Sequence, residues 1–470
     1  MTETVRRFDE ARRLLVLSAL SYRSFSSGLT PRLQSERLHG AVGRGLGNLA
    51  AIAGGWELVW GPIAYRAPLS LVDDSVMFVV RGTDAPHDYV VVVRGTNPVS
   101  PFDWLFGDFW VGLQAPWTAN AAARALGATT SFSTLLGLNL LQVMQAPPPP
   151  TGLVGTLASL VIGRITEAGD QLRASLRPLA ADVASEVTRI RSELLPLVTR
   201  LDAVRRAYAI DDPTARVRAL LDTWRSPMRR RVLRSIADAV AVVNDQHAFN
   251  ALRFLTGGEQ LRQSLVPGVT LIAFLQAAVA AADGARVRVT VTGHSKGGAL
   301  APTLALWLAD TQGAATNDET VAWDPHRQAT IRSVAFAGPT AGNAAFARHS
   351  DAVIGAECHR VVNPLDLVPL AWEPTSLRSI PTLYRSSLPL DGGALPTRLV
   401  DDLIAEIALD ADRLGYTHVG SHVSRIATHE DPLHGDFFLQ AGHQHMTAYL
   451  EAFDLGNAFA DVVSYFSPLA

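Results

Sequence analysis

Residues 287–299 read Val-Arg-Val-Thr-Val-Thr-Gly-His-Ser-Lys-Gly-Gly-Ala. The alternating β-branched residues at 287–291 predict a strand, and the apolar run at 300–310 predicts a helix, so Gly293-His294-Ser295-Lys296-Gly297 forms the turn between them. This is the G-x-S-x-G nucleophile elbow in its confirming context, with Ser295 held in strained backbone geometry above the sheet edge. Gly293 and Gly297 are needed because side chains there would strike the neighbouring strand or helix. The helix start directs backbone N–H groups and a positive dipole end toward the place where an attacked carbonyl would become an oxyanion.

Working outward, residues 76–80 and 89–93 read as adjacent strands and 333–336 and 359–362 as further ones, with helices over 10–23 and up to 282. Strands alternating with helices predict an α/β fold whose mostly parallel sheet is covered on both faces. Between 113 and 244 the strand signal disappears. Leu172, Leu176, Leu179, Val183, Val187, Ile190, Leu194, Leu197, Leu201 and Val204 recur there with the period of one helix face, interrupted at Pro178 and Pro196. Arg173, Arg177, Glu186, Arg189, Arg191 and Glu193 supply its polar side, which reads as a bundle helix. The basic group Arg225, Arg229, Arg230, Arg231 and Arg234 reads as a solvated helix end. Residues 1–112 and 245–470 are therefore expected to form one core, and 113–244 a helical insert.

The chain of 470 residues is 48% apolar and 18% charged, with a formal charge of −3. That composition excludes a disordered chain and gives no global field for nucleic acid, so a charge-driven partner would have to meet a local patch. The lone cysteine, Cys358, excludes an intramolecular disulfide and a cysteine metal site. Residues 1–25 lack the charge order and cleavage site of a secretory signal. The apolar stretches 135–144 and 153–162 are each about half of the roughly 20 residues that span a bilayer. The expectation is a chain without transmembrane helices, cytoplasmic or exported without a recognisable signal peptide.

A serine hydroxyl becomes a competent nucleophile when a histidine takes its proton and an acid fixes that histidine's tautomer. Asp366 lies just past the strand at 359–362, in a strand-end loop on the elbow's side of a parallel sheet. Asp324 and Asp351 close no comparable strand. For the histidine, composition leaves His418, His422, His429, His434, His443 and His445 open. A zinc reading of His429, His434, His443 and His445 carries little weight without a fixed ligand spacing such as H-E-x-x-H.

The motifs together resemble the class 3 lipases, the fungal-type triglyceride lipase family of the α/β-hydrolase fold. Thr292–Ala299 is similar to that family's T-G-H-S-x-G-G-A signature. Val91-Val92-Val93-Arg94-Gly95-Thr96 with Asp103-Trp104 and Asp108 resembles its oxyanion turn and the continuation after it. Gln246-His247-Ala248-Phe249 resembles v-H-x-G-F, with Ala248 in place of glycine. Phe336-Ala337-Gly338-Pro339 with Gly342-Asn343, the R-V-x-N-x-x-D-x-V-P stretch at 360–369, Tyr416-Thr417-His418-Val419-Gly420, and His445 with Tyr449-Leu450 come next, in the family's order.

The resemblance implies a serine carboxylic-ester hydrolase, a lipase or esterase acting on lipid or acyl esters through an acyl-enzyme. It implies Ser295 as nucleophile, Asp366 as orienting acid, His445 as general base, and the amides of Thr96 and Lys296 as the oxyanion hole. It requires no cofactor and no metal. Arg81-Gly82-Thr83 also reads R-G-T, but nothing like Asp103-Trp104 comes after it. Lys296 stands where the family commonly has an uncharged residue; a solvent-directed side chain is the expected arrangement, the alternative being an ammonium near the acyl site that favours anionic or polar substrates. The insert 113–244 falls where the family carries its lid, so a helical cap that meets lipid or a membrane interface is expected there. The alternatives are a non-catalytic lipid-binding or effector protein on the same fold, and an acyltransferase using the same acyl-enzyme.

Overall fold

The computed structural model describes residues 3–23, 31–65, 75–95, 114–117, 119–131, 134, 262–266, 269–313, 322–384, 397–432 and 437–466. Thr96, Asp103, Trp104, Asp108, His247 and His434, and most of the expected insert with its periodic run and basic group, lie outside the described residues.

Strands β1 (Trp56–Tyr65), β2 (Ser75–Gly82), β3 (Asp88–Val93), β6 (Arg262–Leu265), β7 (Val287–His294), β8 (Ala329–Phe336), β10 (Cys358–Val362) and β12 (His422–Arg425) form one sheet. Its order is β12-β10-β8-β7-β3-β2-β1-β6. The five strands from β12 to β3 run parallel, and β2, β1 and β6 continue the sheet antiparallel. The connections explain the change. A short turn links β2 to β3, which permits only an antiparallel neighbour, whereas β7 reaches β8 through the helix Lys296–Asp310, the crossover that a parallel pair needs.

Both faces of the sheet are covered, so its central strands are apolar on alternate sides. Val76, Phe78, Val80, Val90 and Val92 pack with the N-terminal helix Glu3–Leu20 and with Tyr449, Leu450 and Phe453 near the C-terminus. Met77, Val79, Val91, Val93, Val289 and Val291 pack on the opposite face with the helices Leu271–Ala281 and Lys296–Asp310. This is why 76–80 and 89–93 read as unbroken apolar runs. The N-terminal helix begins at Glu3, earlier than the expected residue 10.

The start of the expected helical insert has a different structure. Residues 114–131 hold two strands, β4 (Gln114–Pro116) and β5 (Thr129–Ser131), which join β9 (Gly342–Asn343) and β11 (Tyr416–Thr417) in a second, four-stranded sheet. Trp117 is fully buried, and its indole N–H donates to Asp310 at 2.8 Å. Asn120 donates to the other oxygen of Asp310 at 3.1 Å, and His349 Nε2 lies 2.9 Å from the same carboxylate. These residues thus belong to the core rather than to an appended cap. Strands of three residues are too short for a period-2 pattern to show.

Candidate active site

The elbow arises from crowding. A Cβ on Gly297 would lie 2.3 Å from the Val93 carbonyl oxygen, and one on Gly293 would lie 2.5 Å from that of Gly297. The tight turn leaves Ser295 at φ 63°, ψ −130°, in the left-handed region that L side chains rarely adopt. The Ser295 amide donates to the Phe336 carbonyl at 3.0 Å, which ties the turn to the end of β8.

Three side chains distant in sequence meet here. His445 Nε2 is 2.8 Å from Ser295 Oγ, and His445 Nδ1 is 2.9 Å from Asp366 Oδ2 and 3.1 Å from its Oδ1. The Asp366 carboxylate is wholly buried, whereas the His445 side chain keeps 12% of its surface exposed. Asp366 also accepts from the Val368 amide at 2.9 Å and the Tyr449 hydroxyl at 3.2 Å. Burial and the neighbouring Asp366 charge push the Tyr449 phenol well above its ordinary range, so it remains a donor.

His445 sits in a π-helical turn, His443–Thr447. That turn separates the two closest histidine candidates. His443, two residues earlier, faces Asp431 at 3.6 Å and Glu451 at 3.8 Å. A clasp holds the turn against the acid's loop. Asn363, just past β10, donates through Nδ2 to the Gln444 carbonyl at 2.8 Å and to Gln444 Oε1 at 2.7 Å. Gln444 in turn donates to the His429 carbonyl at 2.7 Å, and Tyr449 accepts from the Asn363 amide at 2.8 Å. Asn363 and Tyr449 stood in recognisable motifs without an assigned role, and no local pattern singled out Gln444.

The remaining candidates separate cleanly. Asp324 is buried and accepts from Gln312 and from the amides of Gln328 and Ala329, and Asp351 accepts from the Gly420 amide. His418 bonds through Nδ1 to Thr340 at 3.1 Å, and burial, aided by Arg360, pulls its pKa down to about 3. Lys296 is buried, at 7% exposure, which corrects the expected solvent-directed side chain. Its amide stands at the first position of the helix Lys296–Asp310, directly after Ser295. Gly95 lies against the elbow, since a Cβ there would meet Ser295 Cβ at 2.8 Å. Gly82, in the other R-G-T, ends β2 opposite the start of β3, at the far end of the strands from Ser295. Among the described residues no three His, Cys, Asp or Glu side chains converge to hold a metal ion.

Residues 270–374, which include the elbow, β8, β10 and Asp366, match the family model for lipase (class 3). Over that stretch the chain resembles the class 3 lipase family. The crystal structure of M37 lipase aligns with 97% of this chain and 97% of its own at a TM-score of 0.58 and 22% identity, a likeness of fold. Lipase II from Rhizopus niveus aligns with 79% of this chain and 77% of its own at a TM-score of 0.31 and 12% identity. No curated protein sequence matches the chain. The class 3 lipase match and the mixed, doubly covered sheet together give an α/β-hydrolase fold. No helix among the described residues is long and apolar enough to cross a membrane.

Proposed function

We propose that this protein is a carboxylic-ester hydrolase of the lipase or esterase kind, acting on acyl esters. The observation that carries the reading is the unbroken hydrogen-bonded line from Asp366 through His445 to Ser295. Ser295 Oγ attacks the ester carbonyl carbon while its proton passes to His445 Nε2, and the carbonyl π electrons move onto oxygen to give a tetrahedral oxyanion. Asp366 keeps the other imidazole proton on Nδ1 and stabilises the imidazolium. The oxyanion is met by the Lys296 amide at the positive end of its helix, with Thr96, the residue after Gly95, as the second donor. As the C–O bond breaks, His445 returns its proton to the leaving alcohol. Water then repeats the sequence on the acyl-enzyme, releasing the acid and restoring Ser295.

The test is hydrolysis of a p-nitrophenyl ester series of increasing acyl length by the wild type and by Ser295→Ala. Ser295→Ala is expected to retain its melting transition and lose the serine-dependent rate. Equal rates for the two proteins would sink the proposal.

A further inference from the structure

His294, between Gly293 and the serine, has its side chain fully enclosed, with 1% of the residue exposed. Its Nε2 lies 2.7 Å from the main-chain carbonyl oxygen of His445. A carbonyl oxygen only accepts, so Nε2 carries the proton and Nδ1 is left as the acceptor. The Tyr22 hydroxyl is 3.2 Å from Nδ1, and its one proton is shared between Nδ1 and the His294 carbonyl. Tyr22 comes from the turn that closes the N-terminal helix, and its hydroxyl is also 3.2 Å from the His294 carbonyl. It leaves no space for a side chain at position 95, because a Cβ there would meet that hydroxyl at 2.2 Å. The His294 ring is 4.7 Å from the His445 ring and 5.7 Å, edge to face, from Tyr449.

Within the π-helical turn, two successive carbonyls accept side-chain donors from outside it. Asn363, just past β10, takes that of Gln444, and His294, at the end of β7, takes that of His445. One anchor thus comes from the strand that delivers the acid and the other from the strand that delivers the serine. We propose that His294, oriented by Tyr22, is a positioning residue for His445, holding its backbone so that one imidazole reaches both Asp366 and Ser295. Burial and the neighbouring His445 hold the His294 pKa well below the ordinary histidine range. His294 is therefore neutral when His445 takes the serine proton, and two adjacent imidazolium ions do not form.

This inference rests on His445 being the general base, so its test includes a readout that needs no turnover. In the wild type, the proton between His445 Nδ1 and Asp366 is expected as a downfield resonance in the proton NMR spectrum. His294→Phe keeps a ring but removes the donor, and His294→Gln keeps an N–H donor. In the folded His294→Phe protein the resonance is expected to shift or broaden, and kcat to fall by about 100-fold with KM little changed, the loss that a misplacement of roughly 1 Å produces. His294→Gln is expected to recover most of that rate, and Tyr22→Phe to lose an intermediate amount.

An unchanged resonance and kcat in folded His294→Phe would overturn the inference, as would a rate loss matching the loss of folded protein with the resonance unmoved. If His294→Phe does not fold, Tyr22→Phe decides by the same readouts. A wild type that shows the resonance but hydrolyses no ester would overturn the ester-hydrolase reading and leave the positioning role standing.

Discussion

Replacing Asp366 by asparagine changes one charge and almost no volume, so its effect is set by the donors packed around the side chain. Three of them converge on the two oxygens of Asp366: His445 Nδ1–H, the Tyr449 hydroxyl and the Val368 amide. A carboxylate satisfies all three, whereas an amide has one oxygen and one NH2 group. With the asparagine oxygen on the Oδ1 side, the Val368 amide is satisfied and the NH2 faces His445 and Tyr449. The imidazole then shifts its proton to Nε2, where it points at Ser295 and cannot accept. With the oxygen on the Oδ2 side, His445 is satisfied but the NH2 opposes the Val368 N–H in a fully buried position. An unsatisfied buried donor costs about 1–3 kcal/mol, a stability decrease expected in either arrangement; the first is favoured, because the shifted imidazole accepts from the NH2 and only the Tyr449 hydroxyl loses its acceptor, whereas the second sets two N–H groups against each other.

Loss of the correct tautomer in a serine–histidine–aspartate system lowers kcat by about four orders of magnitude, which corresponds to roughly 5.4 kcal/mol of transition-state stabilisation. The assay is steady-state hydrolysis of a p-nitrophenyl ester, with a denaturant or thermal melt to confirm the fold. A folded Asp366→Asn protein that keeps more than a tenth of the wild-type kcat would refute the reasoning.

Gly297→Ala is expected to yield a poorly folded or inactive protein, because the new Cβ meets the Val93 carbonyl at 2.3 Å; Gly43→Ala, with nothing within 4 Å, is the control and should melt no lower than the wild type. Asp310→Ala strands donors on Trp117 and Asn120 and removes the partner of His349, so chemical denaturation should show a loss of about 3 kcal/mol. His418 has a folded pKa of about 3 against 6.5 when unfolded, so below pH 6.5 the unfolded chain binds the extra proton and stability falls as pH drops toward 3. The slope from this group is at most about 1.4 kcal/mol per pH unit. Denaturant melts across that window should show a shallower decline in His418→Asn than in the wild type, and equal slopes would count against the assignment.

The elbow was legible because its sequence pattern is local, although Val93, which crowds Gly293 and Gly297, comes from another strand. A β-branched run, glycines at fixed spacing and an apolar helix all fall within 287–310, and the crowding around Gly293 and Gly297 is the physical reason for the pattern. Asp366 was legible for a similar reason, as the carboxylate just beyond a strand end. The opening of the insert was not, since three-residue strands leave no period to read and their pairing with 342–343 and 416–417 is wholly long-range. β1 was also missed, because Gly61 and Pro62 interrupt its alternation and its register shifts at Trp60.

By itself, the sequence determined an α/β core with a strained serine between a strand and a helix, together with an acid and several histidines in suitable order. The residues alone left those histidines open and the family resemblance implied His445; the tertiary structure is what brings that ring to the serine and the acid. His445 lies 150 residues from Ser295 and 79 from Asp366, and its meeting with both depends on a π-helical turn anchored by Asn363 and His294. Residue types state which chemistry a side chain can perform. Whether an imidazole is 2.8 Å from a hydroxyl is decided by how strand ends and helix turns pack, and no local pattern records that distance.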